Sequence, residues 1–221
     1  MGADVGFVFR QQSQEGSADT GAPSLAANVP ELVRLPGVVA ARAFAVNVVL
    51  GDRPPAFYPE LVMCELDGAI DDAAARAETL GIGGSPAGVT RPGGLRFAAW
   101  DGVSIGVRDD FELPAHLYLQ FSAQPPSLSF DGYSDWYQVH QDENIAQSAV
   151  LQRGWRYRLE PVEAGAAPGP THLALYELEG TLETLTSDLG RAMAAGVISL
   201  PDWFTRFASL EAVALGERET G

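Results

Sequence analysis

The 221-residue sequence contains no lysine, and all 14 of its basic residues are arginines. A Schiff base to pyridoxal phosphate or to a carbonyl substrate is therefore excluded, as is a phosphate-loop lysine. Cysteine is almost as scarce. Cys64 stands alone, which rules out an internal disulfide, an iron–sulfur cluster and a multi-cysteine zinc site. Positive charge of any kind is short. Against 14 arginines stand 29 acidic residues, a formal net charge of −15, and so negative a surface repels nucleic-acid backbones and anionic membranes. No apolar run approaches the roughly 18 residues of a spanning helix. The first residues lack the charged and apolar regions of a signal peptide. The expectation is a cytoplasmic protein with neither nucleic acid nor membrane as partner.

Hydrophobic residues make up 46% and charged residues 19%, the balance of a globular chain with a sizeable core. An internal repeat organises it. Arg96-Phe97-Ala98, Val103 and Gly106 recur as Arg206-Phe207-Ala208, Val213 and Gly216, a shift of 110 residues. Cys64-Glu65-Leu66-Asp67-Gly68 echoes as Tyr176-Glu177-Leu178-Glu179-Gly180, shifted by 112, and Gly37 matches Gly154, shifted by 117. Three echoes in order divide the chain into residues 1–112 and 113–221, with a linker near 109–114.

Each half reads as strand, helix, strand, strand, helix, strand. The first half predicts strands over 5–11, 38–50, 57–66 and 95–107, a short helix over 25–35 capped by Ser24, and an alanine-rich helix over 69–80. The second predicts strands over 117–122, 155–162, 171–179 and 210–215. Its helices span 133–151 and 181–195, the latter with Leu182, Leu185, Leu189 and Met193 on one stripe. Two such split βαβ units make an α+β protein of two ferredoxin-like βαββαβ repeats.

The most informative segment is Asp131-Gly132-Tyr133-Ser134-Asp135-Trp136-Tyr137-Gln138-Val139-His140-Gln141-Asp142-Glu143-Asn144. At helical spacing Tyr133, Trp136, Tyr137, His140 and Asn144 share one face. An ordinary core helix would carry Leu, Ile and Val there. Asp135-Trp136-Tyr137-x-x-His140, followed by Gly154-Trp155 and by Leu173-Ala174-Leu175-Tyr176-Glu177-Leu178, resembles the dimeric α/β-barrel superfamily, and within it the EthD-like proteins. That resemblance implies two ferredoxin-like units packed into one α/β barrel, here intramolecular, with a site between sheet and helices. It implies cofactor-free cyclases, lyases, isomerases and monooxygenases. The chain departs from the pattern where Gln141-Asp142-Glu143, not Ile-Pro or Val-Pro, follows His140. The helix of the first half lacks Trp, Tyr and His, so repeat 1 is expected to be scaffold or lid and repeat 2 to bear the site.

An imidazole exchanges protons near neutral pH, so His140 is the expected acid/base. Tyr133 and Tyr137 would orient or polarise a carbonyl becoming an enolate, and Trp136 would supply an apolar wall. Asn144, His172 and Tyr176 complete the expected substrate-binding set. His116 reads as a half-exposed neighbour, and Glu65 and Glu177 as structural partners of Arg42 or of Arg156 and Arg158. Gly83-Gly84-Ser85-Pro86-Ala87 misses the nucleophile elbow, and Pro86 breaks the dinucleotide fingerprint opened by Gly81. Three histidines 24 and 32 residues apart lack metal-ligand spacing. No metal and no cofactor is expected, unless folding gathers His140, His172 and Glu177.

The expected function is acid/base catalysis without a cofactor (dehydratase, cyclase, isomerase or another lyase type) on a small, mostly apolar or aromatic carbonyl compound. One alternative is a cofactorless monooxygenase of phenols or quinols. Another is a non-catalytic binding or stress-response protein. The partner is a small-molecule substrate. Homodimer formation is favoured by exposed sheet edges and opposed by the net charge.

Overall fold

A computed structural model describes residues 4–10, 24–50, 60–66, 103–105, 112–158 and 171–221. The expected helix over 69–80 and most of the strand over 95–107 lie outside the described residues. The strands are β1 (Asp4–Arg10), β2 (Val38–Leu50), β3 (Glu60–Leu66), β4 (Val103–Ile105), β5 (His116–Ala123), β6 (Leu151–Arg158), β7 (His172–Leu178), β8 (Thr205–Ala214) and β9 (Glu219–Thr220). The helices are α1 (Val29–Leu32, entered through a 3₁₀ turn at Leu25–Asn28), α2 (Phe130–Gln147) and α3 (Leu182–Ala194).

The nine strands among the described residues join one antiparallel sheet in the order β1-β3-β2-β8-β5-β7-β6-β4, with β9 added beside β2. The sheet is curled. Phe44, Leu61 and Met63 share a core with Trp155, Leu173 and Leu175, although β3 and β6 stand five places apart in the strand order. In a flat sheet that is about 24 Å, so only curvature brings the two flanks together.

The other face of the sheet carries the helices. Under α1 the buried side chains are apolar: Val29, Leu32, Val33, Leu35, Ala41, Ala43, Val62, Cys64 and Leu66 among them. Under α2 and α3 they are mixed. Tyr118, Tyr133, Tyr137, Ala174, Tyr176 and Leu185 form the cluster there, flanked by Trp136, Trp203 and Phe204.

Several boundaries move from their expected places. α2 begins at Phe130 because the Ser129 hydroxyl accepts from the Gly132 N–H at 3.1 Å, a side-chain cap on an otherwise orphan donor. It stops at Gln147 because Ser148 turns the chain, its hydroxyl accepting from Val150 and Leu151. Leu151 therefore opens β6 instead of closing the helix. β8 starts at Thr205, five residues before the expected Leu210, because its early residues pair with the end of β5 across a bulge. On α3 the expected stripe fails at Met193, 45% exposed, and Ala192 is buried in its place. The helix closes in a Schellman turn, with Gly196 at φ 71° and Val197 N–H reaching Ala192 O at 2.9 Å.

Candidate active site

Alternation along the strands decides what α2 lies against. On β5, Leu117, Leu119 and Phe121 enter the curl, so Tyr118, Gln120 and Ser122 point to the helix. On β7, Leu173 and Leu175 point inward, and His172, Ala174 and Tyr176 face α2. On β8, Ser209 lies opposite Gln120 and Arg206 opposite Ser122, which places both on the helix side. Facing them, α2 buries Tyr133, Tyr137, His140, Gln141 and Asn144. A polar helix face thus covers a polar sheet face.

His140 is the centre of this layer. It is 4% exposed. Its ring lies flat on Trp136, with centroids 5.0 Å apart and planes at 10°, and it also meets Tyr137 and Phe204 at 5.9 and 6.2 Å. Burial, seconded by the charge of Arg206, pushes its pKa down to about 4. His140 is therefore a neutral imidazole at physiological pH.

The tyrosines differ in role. Tyr133 donates to the Ser122 hydroxyl at 2.8 Å, and burial pushes its pKa up to about 12. Tyr176 accepts from Asn144 Nδ2 at 3.2 Å, which ties two of the four expected substrate-binding residues to each other. Tyr137 lies beside Ser122 without a hydrogen bond of ordinary geometry, and burial raises its pKa well above the usual value. His172 closes the sheet end, its Nδ1 sharing a hydrogen bond with Thr171 Oγ1 at 2.8 Å and its ring 4.6 Å from Tyr133.

Trp203 and Phe204, just before β8, close over α2. Their ring centroids lie 4.7 and 5.2 Å from Trp136, so this turn covers the aromatic layer. Beside it opens a cleft of about 370 Å³ lined by Leu200, Phe204, Thr205 and Arg206. Phe204 and Arg206 belong both to the cleft and to the surroundings of His140.

Buried polar atoms without a hydrogen-bond partner gather here: His140 Nδ1, Tyr137 OH, Gln120 Nε2, Ser209 Oγ and Arg206 Nε. Buried polar groups are normally paired. A cluster of unpaired ones beside a cleft marks a place where a ligand or ordered water completes the bonding. Of these five, sequence reasoning reached His140 and Tyr137 and missed Gln120, Arg206 and Ser209; the turn through Trp203 and Phe204 reads from sequence either as a pocket closure or as a cap on the last helix. The available signal was the alternation Tyr118-x-Gln120-x-Ser122, a polar strand face opposite a polar helix face.

Other expectations resolve differently. Glu65 does not pair with Arg42. It holds Arg218 through two bonds of 2.7 and 2.6 Å and accepts from the Leu113 N–H at 2.8 Å, while Arg42 donates to Leu113 O at 2.8 Å. Glu177 pairs with Arg153, not with Arg156, which instead reaches up to Ser134 O and Gln138 on α2. His116 bonds Glu211 at 3.0 Å. Strand alternation puts Glu177 and His172 on opposite sheet faces, so they do not gather with His140. Among the described residues no group of three or more His, Cys, Asp or Glu side chains is placed to hold a metal ion. No helix there is long and apolar enough to cross a membrane.

No family model matches the chain, and no curated protein matches it in sequence. Solved structures do. An anthrone oxidase-like protein superposes with a TM-score of 0.52 at 11% identity, covering 98% of this chain and 92% of that one. A candidate monooxygenase of Fusobacterium nucleatum subsp. nucleatum gives 0.43 at 9% identity, with 98% and 93% covered. The first likeness speaks for the fold alone, and the second is too distant to argue from.

Proposed function

We propose that this chain is an enzyme in which neutral His140 takes a proton from a small, flat, mostly apolar compound held between α2 and the sheet. One observation carries the reading: a buried imidazole, held neutral, stands among unpartnered polar atoms inside an aromatic layer beside an open cleft. His140 accepts the proton at Nδ1, and the substrate becomes an enolate or phenolate. Tyr137 offers its O–H to the developing oxyanion, Trp136 packs on the ring system, and Tyr133, Asn144, His172 and Tyr176 shape the cavity. Returning the proton to another carbon gives isomerisation. Returning it to a departing hydroxyl gives dehydration or cyclisation. One positioned acid/base is worth roughly 10²–10⁴-fold in rate.

The architecture behind this reading is a pair of ferredoxin-like repeats, 1–112 and 113–221, forming one EthD-like barrel. β3 and β7 span seven residues each and start 112 residues apart, the offset of the sequence repeat. The second half orders its strands β8-β5-β7-β6. The same order in the first half would set β4 beside β1, the two ends of the observed sheet, and close the barrel. The apolar layer beneath α1 gives repeat 1 the part of a scaffold.

A cofactorless monooxygenase is the second reading. The electron-rich wall of Trp136, Trp203 and Phe204 favours it, and the fold is shared with a protein named as anthrone oxidase-like. There the His140-generated carbanion meets dioxygen, and a methylene becomes a ketone with release of one water.

Wild type and His140→Ala, incubated with ketones, lactones, phenols and hydroquinones under air and under argon, separate these outcomes. Product from wild type alone in both atmospheres supports the lyase or isomerase reading, and oxygen consumption matched to product supports the monooxygenase. Ligands that stabilise both proteins equally, with no product, would establish a binding protein instead.

A further inference from the structure

The sheet face beneath α2 carries polar groups that proton abstraction by His140 does not use. Gln120 on β5 and Ser209 on β8 are cross-strand partners, 3% and 0% exposed. Both point toward α2, on the face opposite Leu119 and Leu210. Neither Gln120 Nε2 nor Ser209 Oγ has a hydrogen-bond partner, and neither has Arg206 Nε, one bulge away on the same face. A buried polar group left unpaired destabilises the fold. Three of them side by side in the central strands are a cost the fold alone does not require.

The unpartnered Gln120 Nε2 and Arg206 Nε are donors, and the Ser209 hydroxyl is able to donate. The amide, the guanidinium and the hydroxyl all present hydrogens, and Tyr137 adds another O–H. The carboxylate on this strand face, Glu211, is engaged by His116 at 3.0 Å and Asn47 at 3.2 Å. A chain with net charge −15 thus turns a cation and three neutral donors toward the layer between α2 and the sheet. Arg206 also lines the open cleft, so an entering ligand meets it first. A weak base such as His140 needs this help. Proton transfer from a phenol or enol to it becomes favourable only if the oxyanion left behind is stabilised.

We propose that Arg206, Gln120 and Ser209 form an oxyanion subsite that binds an aromatic ligand through an ionised phenol or enol oxygen. The subsite rests on the reading that the α2–sheet cavity is the active site. It adds the substrate class: flat aromatic compounds with an acidic hydroxyl, in preference to their ethers or to hydrocarbons of the same shape.

The probe is 4-nitrophenol, whose phenolate absorbs visible light, with its methyl ether 4-nitroanisole as the neutral twin. Equilibrium dialysis gives both affinities, and the spectrum of bound nitrophenol at a pH near its free midpoint gives its ionisation state. Bound nitrophenol is expected to be almost wholly phenolate, and the ether to bind at least about tenfold more weakly, about 1.4 kcal/mol. Arg206→Gln and Gln120→Glu should each abolish the excess of phenolate, and Arg206→Lys should restore part of it. Melting curves of the variants report whether they fold, and Ser209→Ala supplies a milder second probe of the same patch. Equal affinity for phenol and ether, ordinary ionisation of the bound phenol, indifference to Arg206→Gln or no binding of either probe would each overturn the subsite. Equal binding that Trp136→Ala removes would overturn it while leaving the cavity as the ligand site. Loss of turnover in His140→Ala is an independent readout, so the two readings fail separately.

Discussion

The imidazole of His140 lies on the indole of Trp136 with ring centroids 5.0 Å apart and planes inclined by 10°. The stack takes one face of the base out of water and fixes its plane, and Arg206 adds an unfavourable charge. Both effects act against the protonated form.

Stability should therefore depend on pH through this residue. The folded-state pKa of about 4 lies below the ordinary value of 6.5. Above pH 6.5 neither folded nor unfolded His140 holds a proton, and its linkage vanishes. As pH falls from 6.5 toward 4 the unfolded chain binds a proton that the folded chain refuses, so stability is lost across that window, by at most about 3 kcal/mol. Urea unfolding of wild type and His140→Phe at pH 7 and pH 4.5 measures it. The variant should lose less stability between the two pH values.

Catalysis should separate α2 into roles. His140→Ala should lower turnover by roughly 10²–10⁴-fold with ligand affinity largely kept. Tyr137→Phe removes an unpaired hydroxyl and should lower kcat more than it changes KM. Tyr133→Phe breaks a bond to Ser122 and should act mainly on stability, by about 1 kcal/mol. Steady-state kinetics beside urea midpoints for the three variants decides between these assignments.

The α2 side of the candidate site was legible in the sequence because helical periodicity puts Tyr133, Trp136, Tyr137, His140 and Asn144 on one face whatever lies opposite. The sheet side was not. A lone Gln or Ser in an alternating strand reads as solvent-facing, and only the α2 cover makes Gln120 and Ser209 buried. β7 (His172–Leu178) was legible to within a residue at each end from local alternation over 171–179, and β3 ends at Leu66, where Asp67-Gly68 stops the expected strand. The partner of Glu65 was not, because Arg218 lies 153 residues away and no local rule brings it there. Met193 fits the helical stripe by spacing, yet α3 lies against its neighbours only as far as Ala192, leaving Met193 in solvent.

Glu65 should be among the costliest surface-remote residues to remove. It is 2% exposed and joins β3 to the Leu113 N–H and to Arg218, whose side chain is 22% exposed. Deleting one member of a buried pair typically costs about 3–5 kcal/mol. The partial exposure of Arg218 places Glu65→Ala at about 3 kcal/mol. Arg218→Ala should cost less, since the carboxylate keeps the Leu113 N–H. Urea midpoints of the two variants test the order, and a larger loss for Arg218→Ala would contradict it.

The seat of α2 on β6 depends on Gly154. A methyl group there would stand 2.5 Å from Gln141 Nε2 and 3.2 Å from Ile145 Cδ1. The end of a glutamine can usually swing away. This one is fully buried and donates to Trp155 O at 3.2 Å, so swinging breaks a bond and finds no room. Gly154→Ala should therefore cost about 1–3 kcal/mol and push α2, with His140 on it, off the sheet. Gln141→Ala should cost stability as well, through the lost bond and the cavity. In the double variant the new methyl occupies space that the glutamine has vacated. The combined loss should fall short of the sum by about 1 kcal/mol or more, the mark of two residues competing for one volume. A double-mutant cycle by urea unfolding measures that coupling, and additive losses would mean that Gly154 is not what lets α2 approach.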